Sequence, residues 1–227
     1  MQYLIDGGIL LAAYLFGSIP FGLIVVKSMN GKDIRTIASG RTGGTNAMRA
    51  AGPWAGFLTA ALDIFKAAVI VWIAQAITPN VWIHVLAPIA VMLGHNYSIF
   101  LMERDEEGRV RFRGGAGGAA AGGGAFGLWP PAGFILVPFA LLMWFGTGYA
   151  SVTTLSIGLI SILIFGVRAA LGLGPWEYIL YGVLAEILMV WALRPNLKRL
   201  REGTERRHGL PAFLAQRRQA KKNQGKE

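Results

Sequence analysis

The sequence predicts an all-α fold: a polytopic membrane bundle of about seven transmembrane helices. Three observations predict it. First, 54% of the 227 residues are hydrophobic, mean hydropathy is +0.48 and only 15% are charged, where a soluble domain carries about 25%. Second, the apolar residues come in blocks rather than with strand alternation or an amphipathic stripe. Third, Lys and Arg gather in alternate connections between those blocks.

A spanning helix needs roughly 20 apolar residues. Residues 4–26 qualify and end at Lys27. Residues 54–78 are apolar apart from Asp63 and Lys66, which are spaced to pair on one helix face. Residues 81–102 follow a Pro79-Asn80 turn. Residues 115–128 form a Gly/Ala run that is short for a span and stops at Trp129-Pro130-Pro131. Residues 134–147, 152–170 and 178–193 complete the set. The first block does not read as a signal peptide, because Asp6 replaces the positive charge such a leader carries.

Orientation follows from the basic residues. Lys27, Lys32, Arg35, Arg41 and Arg49 lie in the first connection. Arg104, Arg109, Arg111 and Arg113 lie after the third block, among four acids. Eleven Lys/Arg follow from Arg194 onward. With seven spans, all three regions fall on one side, which the charge rule makes the cytoplasm, with the N-terminus outside. The expected division is a transmembrane domain over 1–200 and a basic cytoplasmic tail over 201–227.

The chain has no cysteine and three histidines without ligand spacing. Disulfides and thiolate chemistry are excluded, and neither a metal site nor a cofactor is expected. Net charge is +10. The tail's basic runs read as solvated or lying on anionic headgroups, and no nucleic-acid partner is expected.

One connection carries more than charge. Residues 34–52 read IRTIASGRTGGTNAMRAAG. Ser39, Gly40, Arg41, Thr42, Gly43, Gly44, Thr45 and Asn46 offer successive backbone N–H groups without bulk, a nest for an anion. Arg41 and Arg49 add forked positive charge that matches phosphate oxygens. A flexible loop is the plainer reading of the same residues. A second cluster, Gly94-His95-Asn96-Tyr97-Ser98, leads to Arg113, Gly114 and Gly115. His95 reads either as a packing residue or as part of a site. The glycines read either as close helix packing or as an anion-binding helix start. A third cluster holds Arg194, Asn196, Lys198, Arg199 and Glu205. All three fall on the same membrane face.

These stretches together resemble a family. GSIPFG, GKDIRTIASGRTGGTNAMRAAG, LDIFK, GHNYSIF and NLKRLREGTE occur in order between residues 17 and 205. They are similar to the bacterial acyl-phosphate:glycerol-3-phosphate acyltransferases of phospholipid synthesis. The resemblance implies a seven-helix bundle in the bacterial plasma (inner) membrane with the N-terminus outside. Acyl phosphate, glycerol 3-phosphate, membrane lipids and the enzyme that makes the acyl phosphate are the implied partners. It assigns Ser39, Gly40, Gly43, Thr45, Asn46 and Arg49 to the acyl phosphate. Arg41 stands where the family motif has asparagine. The family's second motif has a lysine where this chain has Ala116, and its third motif has an Arg-His before the asparagine where this chain has Ala192-Leu193-Arg194-Pro195. Arg113, Gly114, Gly115 and Arg194 are then expected at the acceptor phosphate. Ser39, Arg49, His95 and Asn196 are the expected catalytic set. An acyl phosphate is a mixed anhydride, so the enzyme needs no nucleophile of its own. A family member that binds lipid phosphate without catalysis, or a small transporter, are the alternative readings.

Overall fold

The computed structural model describes residues 1–208. It contains nine α-helices and one two-stranded sheet among those residues. In chain order these are α1 (Gln2–Gly17), α2 (Phe21–Asn30), α3 (Gly44–Ala51), α4 (Pro53–Ile77), α5 (Val81–Asn96), β1 (Ser98–Arg104), β2 (Val110–Arg113), α6 (Gly118–Leu128), α7 (Pro130–Thr147), α8 (Ala150–Ala170) and α9 (Glu177–Arg201).

The molecule is an integral membrane protein. Five segments are long and apolar enough to cross a bilayer: α1 with α2, then α4, α7, α8 and α9. Two others are shorter. Helix α5 has 16 residues and α6 has 11. The outer face of α7 is exposed at Phe134, Val137, Leu141, Leu142 and Phe145, as a lipid-facing helix requires.

Two expected helices are corrected. The block at 4–26 is not one rod. Helix α1 stops at Gly17 and α2 restarts at Phe21, because Pro20 has no N–H and its ring excludes a continuous helix. The block at 81–102 ends as a helix at Asn96. Residues 98–104 instead pair antiparallel with β2, with Met102 opposite Phe112 and Glu103 opposite Arg111. The Asp105 carboxylate accepts from the Glu107 and Arg109 N–H groups across the turn. These hairpin charges are exposed, so their ion pairs add little stability.

Local chemistry sets the other boundaries. Pro53 opens α4, and Pro130 with Pro131 opens α7, where a missing N–H costs nothing. The Asn80 side chain caps α5 through the Trp82 N–H at 3.1 Å. Left-handed glycines end α2 at Gly31 and α7 at Gly148.

The bundle is held by small residues. Helix α6 lies against α4, and a Cβ on Gly123 would overlap the Ile64 backbone. Buried Ala67, Ala68, Ala120, Ala121 and Ala125 extend that seam. Without a hydrophobic drive between helices in lipid, close backbone approach of this kind supplies the attraction. Tyr181 is fully buried on α9, and its hydroxyl donates to the Ala121 carbonyl. Phe165 packs edge-on against Tyr178 and Tyr181 at 5.5 and 6.2 Å.

Candidate active site

The 30–52 connection is a closed structure rather than a free loop. A 3-10 turn over Ile34–Thr36 follows Asp33, which accepts from the Arg35 N–H and holds the Arg35 guanidinium at 2.6 Å. That guanidinium keeps the Asp33 carboxyl below its ordinary range. Asn46 is the clasp. Its amide donates to the carbonyls of Ile34, Ile37 and Arg41 at 3.2, 2.9 and 2.9 Å. Asn46 is buried, and its amide donors hold the loop together. The chain then turns into amphipathic α3, a helix too short and too polar to stand out among the apolar blocks. Its buried Ala47 and Ala50 face Val25, Val26, Ile34 and Ala55.

This loop meets the other clusters at one end of the bundle. The Thr42 N–H donates to the Gly114 carbonyl at 3.2 Å, and the Gly115 N–H donates to the His95 carbonyl at 2.8 Å. Gly115 has no room for a side chain, because a Cβ there would collide with the His95 imidazole. Gly40 adopts a left-handed φ of 67°, and a Cβ there would lie 3.4 Å from the Arg113 guanidinium. Arg113 is half-exposed and paired with Glu103 across the hairpin. Ser39 is exposed, and its hydroxyl lies 3.4 Å from the Arg41 N–H. Gly43 caps α3, accepting the Ala47 N–H at 3.0 Å, with Thr45 in the first turn.

Arg41 reaches furthest. Its guanidinium donates to the Ala192 carbonyl on α9, 151 residues away. Burial first, then the like charge of Arg199, weakens its hold on its proton, though an arginine stays charged. Arg49 contacts the His208 ring. Burial, then Arg49, pushes His208 down to about 4, so near pH 7 it is neutral and accepts from Arg49. The chain after α9 is fastened to the same end. Glu205 accepts from Ser151 at 2.7 Å and from the Asn196 amide at 3.0 Å, and the His208 N–H donates to Gly148 at 2.8 Å.

One expected residue is not brought in. The Arg194 guanidinium stacks on Trp191 at 3.3 Å, and its Nε donates to the Trp191 carbonyl. It is exposed. Residues 194 and 196 lie about 200° apart around a helix. With Asn196 turned toward Glu205, Arg194 faces away.

Nothing local in the sequence marks where the α4 pair sits. Lys66 and Asp63 are each 1% exposed and 2.8 Å apart. Both lie against His95: Lys66 Nζ is 3.1 Å from Nδ1, and Asp63 Oδ1 is 3.4 Å from it. The i,i+3 spacing announces the pair. Its third member lies 29 residues on, beyond any local pattern.

Small-residue helix packing, a basic loop bonded to the Gly114–Gly115 turn, and residues 205–208 fastened to α8 and Gly148 together make one polar end of a membrane bundle. Comparison with known proteins agrees. The family model described as glycerol-3-phosphate acyltransferase matches residues 7–203. The chain is 38% identical over 200 residues to the glycerol-3-phosphate acyltransferase of a Thermus thermophilus strain, covering 88% of this chain and 94% of that one. It is 32% identical over 201 residues to the enzyme of Rubrobacter xylanophilus, with the same coverage. The crystal structure of PlsY, an integral membrane glycerol 3-phosphate acyltransferase, in its glycerol 3-phosphate form superposes with a TM-score of 0.77 at 29% identity, over 92% of this chain and 98% of that one. Its lysophosphatidic acid form gives 0.74 at 28% identity. The chain belongs to the glycerol-3-phosphate acyltransferase family.

Proposed function

We propose that this chain transfers a fatty acyl group from acyl phosphate to glycerol 3-phosphate, forming lysophosphatidic acid and inorganic phosphate. The observation that carries this reading is the Thr42–Gly114 bond. It joins the basic loop to the Gly114–Gly115 turn, which supports reading the two stretches as one phosphate site. The acceptor oxygen forms a bond to the acyl carbon as the bond from that carbon to the phosphate oxygen breaks. The departing phosphate takes the hydroxyl proton. The protein's part is orientation and charge stabilisation. Arg41 and Arg49 serve the acyl phosphate, with Ser39, Gly40, Gly43 and Thr45 supplying close donors. Gly114 and Gly115, with Arg113, serve the acceptor phosphate. His95 and Asn196 border the reacting groups.

The test is direct. Purified protein with acyl phosphate and labelled glycerol 3-phosphate should yield labelled lysophosphatidate. Absence of product from folded protein would leave a phosphate-binding relative without catalysis. Ala116 is the reason to check, since a cation is expected there in the family. If Arg113 supplies that charge, Arg113→Ala should raise the acceptor KM roughly tenfold while leaving acyl-phosphate KM little changed; a charged hydrogen bond beside an exposed ion pair is worth about 1.5 kcal/mol. A silent Arg113→Ala, with Ala116→Lys gaining activity over wild type, would overturn that assignment.

The site end is assigned to the cytoplasmic face of the bacterial inner membrane, with the N-terminus outside. The one-sided Lys/Arg distribution supports it. Glu106→Cys and Leu173→Cys should then label from opposite sides with an impermeant thiol reagent. Labelling of both from the same side removes the topology.

A further inference from the structure

The network behind His95 fixes what that histidine can do. The three groups are almost wholly enclosed: Asp63 and Lys66 are each 1% exposed and His95 is 5%. Buried charge must balance locally. Asp63 carries one negative charge, and Lys66, at 2.8 Å, is its counter-ion. A second positive charge on His95 would leave the cluster with uncompensated charge in a low dielectric, which favours a neutral imidazole. A neutral imidazole has one N–H and one lone pair. The Lys66 ammonium donates and has no lone pair, and it lies 3.1 Å from Nδ1. That contact is a hydrogen bond when the lone pair is on Nδ1. The 3.4 Å approach of Nδ1 to Asp63 is the looser of the two contacts. Lys66 is itself held from the far side by the Ile19 carbonyl at 3.3 Å. That carbonyl belongs to the break between α1 and α2, so the proline break and the network position each other.

With Nδ1 occupied, the proton sits on Nε2. Among the described residues Nε2 makes no hydrogen bond, and it lies against Gly115. The neighbouring Asn96 amide is 4% exposed, and neither its oxygen nor its nitrogen has a partner. A Cβ on Gly117 would sit 3.1 Å from that amide oxygen. His95 and Asn96 therefore bring unspent hydrogen-bonding groups to the same glycine turn.

We propose that Asp63 and Lys66 are positioning residues that lock His95 as the neutral Nε2–H tautomer, which makes His95 a hydrogen-bond donor to a substrate oxygen and not a proton acceptor. The consequence for the transfer rests on the acyltransferase reading above; the tautomer itself does not. The acceptor's proton then leaves with the phosphate, because His95 has no lone pair facing the substrate.

Solid-state NMR of the full chain in lipid, with ring-15N histidine, reads this directly. His84→Asn and His208→Asn assign the three rings. At pH 7, without substrate, His95 should show an unprotonated Nδ1 and a protonated Nε2. A protonated Nδ1 with bare Nε2, or an imidazolium, overturns the proposal. This holds whether or not the protein transfers acyl groups, so failure of the functional reading and failure of the tautomer are separable. Lys66→Met risks misfolding, because it leaves Asp63 charged and alone. Asp63→Asn/Lys66→Met removes both charges together. In that double variant the His95 signals should become a mixture of tautomers. Turnover should fall about tenfold, with the KM for acyl phosphate little changed. Unchanged tautomer signals in the double variant would also overturn the proposal.

Discussion

Gly115→Ala is expected to lower acyl transfer by at least about 100-fold in protein that still inserts and folds. The added methyl group would enter the space of the His95 ring. The ring cannot retreat, since Lys66 and Asp63 hold its Nδ1 side and are themselves buried. Either the glycine turn or the ring must shift by a sizeable part of an ångström. A misplacement of about 1 Å at a reacting group costs roughly 10²-fold. The loss should appear in kcat and in the acceptor KM rather than in the KM for acyl phosphate, because the loop proposed to hold the acyl phosphate contacts the turn through Gly114 rather than Gly115. Gly146→Ala is the control: nothing lies within 4 Å of a Cβ there. Near wild-type kcat in Gly115→Ala would mean that His95 and the glycine turn are not part of the reacting geometry.

What is readable in the sequence divides along a physical line. Composition and block length identify spans because a bilayer imposes a length and an apolarity on each one. Residues 130–147, 150–170 and 177–201 emerge as helices close to the blocks expected for them. Local steric rules are also present but weaker. Pro20 marks the α1–α2 break, yet the apolar run on both sides of it masks the mark. Tyr97 to Met102 reads as a continuation of α5, because a strand that starts at a membrane edge is as apolar as a helix end. The turns of the 34–52 loop are legible from its glycines, but not that its Gly40, Thr42 and Asn46 N–H groups bond within the protein. Roles that depend on contact are not. Asn46 looks like a ligand and acts as a clasp. Arg194 looks like a phosphate cation and lies on Trp191. Lys66 looks like half of a structural pair and also holds His95. Such pairings cross tens of residues, and no periodicity encodes them.

Arg41→Ala is expected to raise the KM for the phosphate substrate by roughly 10- to 150-fold, the range for a lost charged hydrogen bond. Among the described residues, the guanidinium has a hydrogen bond only to the Ala192 carbonyl, and a guanidinium carries five donors. Arg199 adds like charge nearby, and Glu205 offsets it only in part while also bound by Ser151 and Asn196. A partly buried cation with so few partners is costly to fold around unless an anion arrives. The resting protein should therefore lose little stability in Arg41→Ala. What it should lose is the stabilisation that substrate confers. Saturating glycerol 3-phosphate or a non-hydrolysable acyl phosphate stabilises by about 2.7 kcal/mol at 100 times its Kd. Running thermal unfolding with each ligand in turn tells which phosphate Arg41 holds. Arg41→Lys should recover only part of the affinity, because an ammonium cannot make the two parallel bonds of the fork. Arg41 spans from the loop to α9. If Arg41→Ala keeps wild-type KM values and full ligand stabilisation with both phosphates, the guanidinium is a strut between the loop and α9, and the charge for phosphate must come from Arg49 and Arg113 alone.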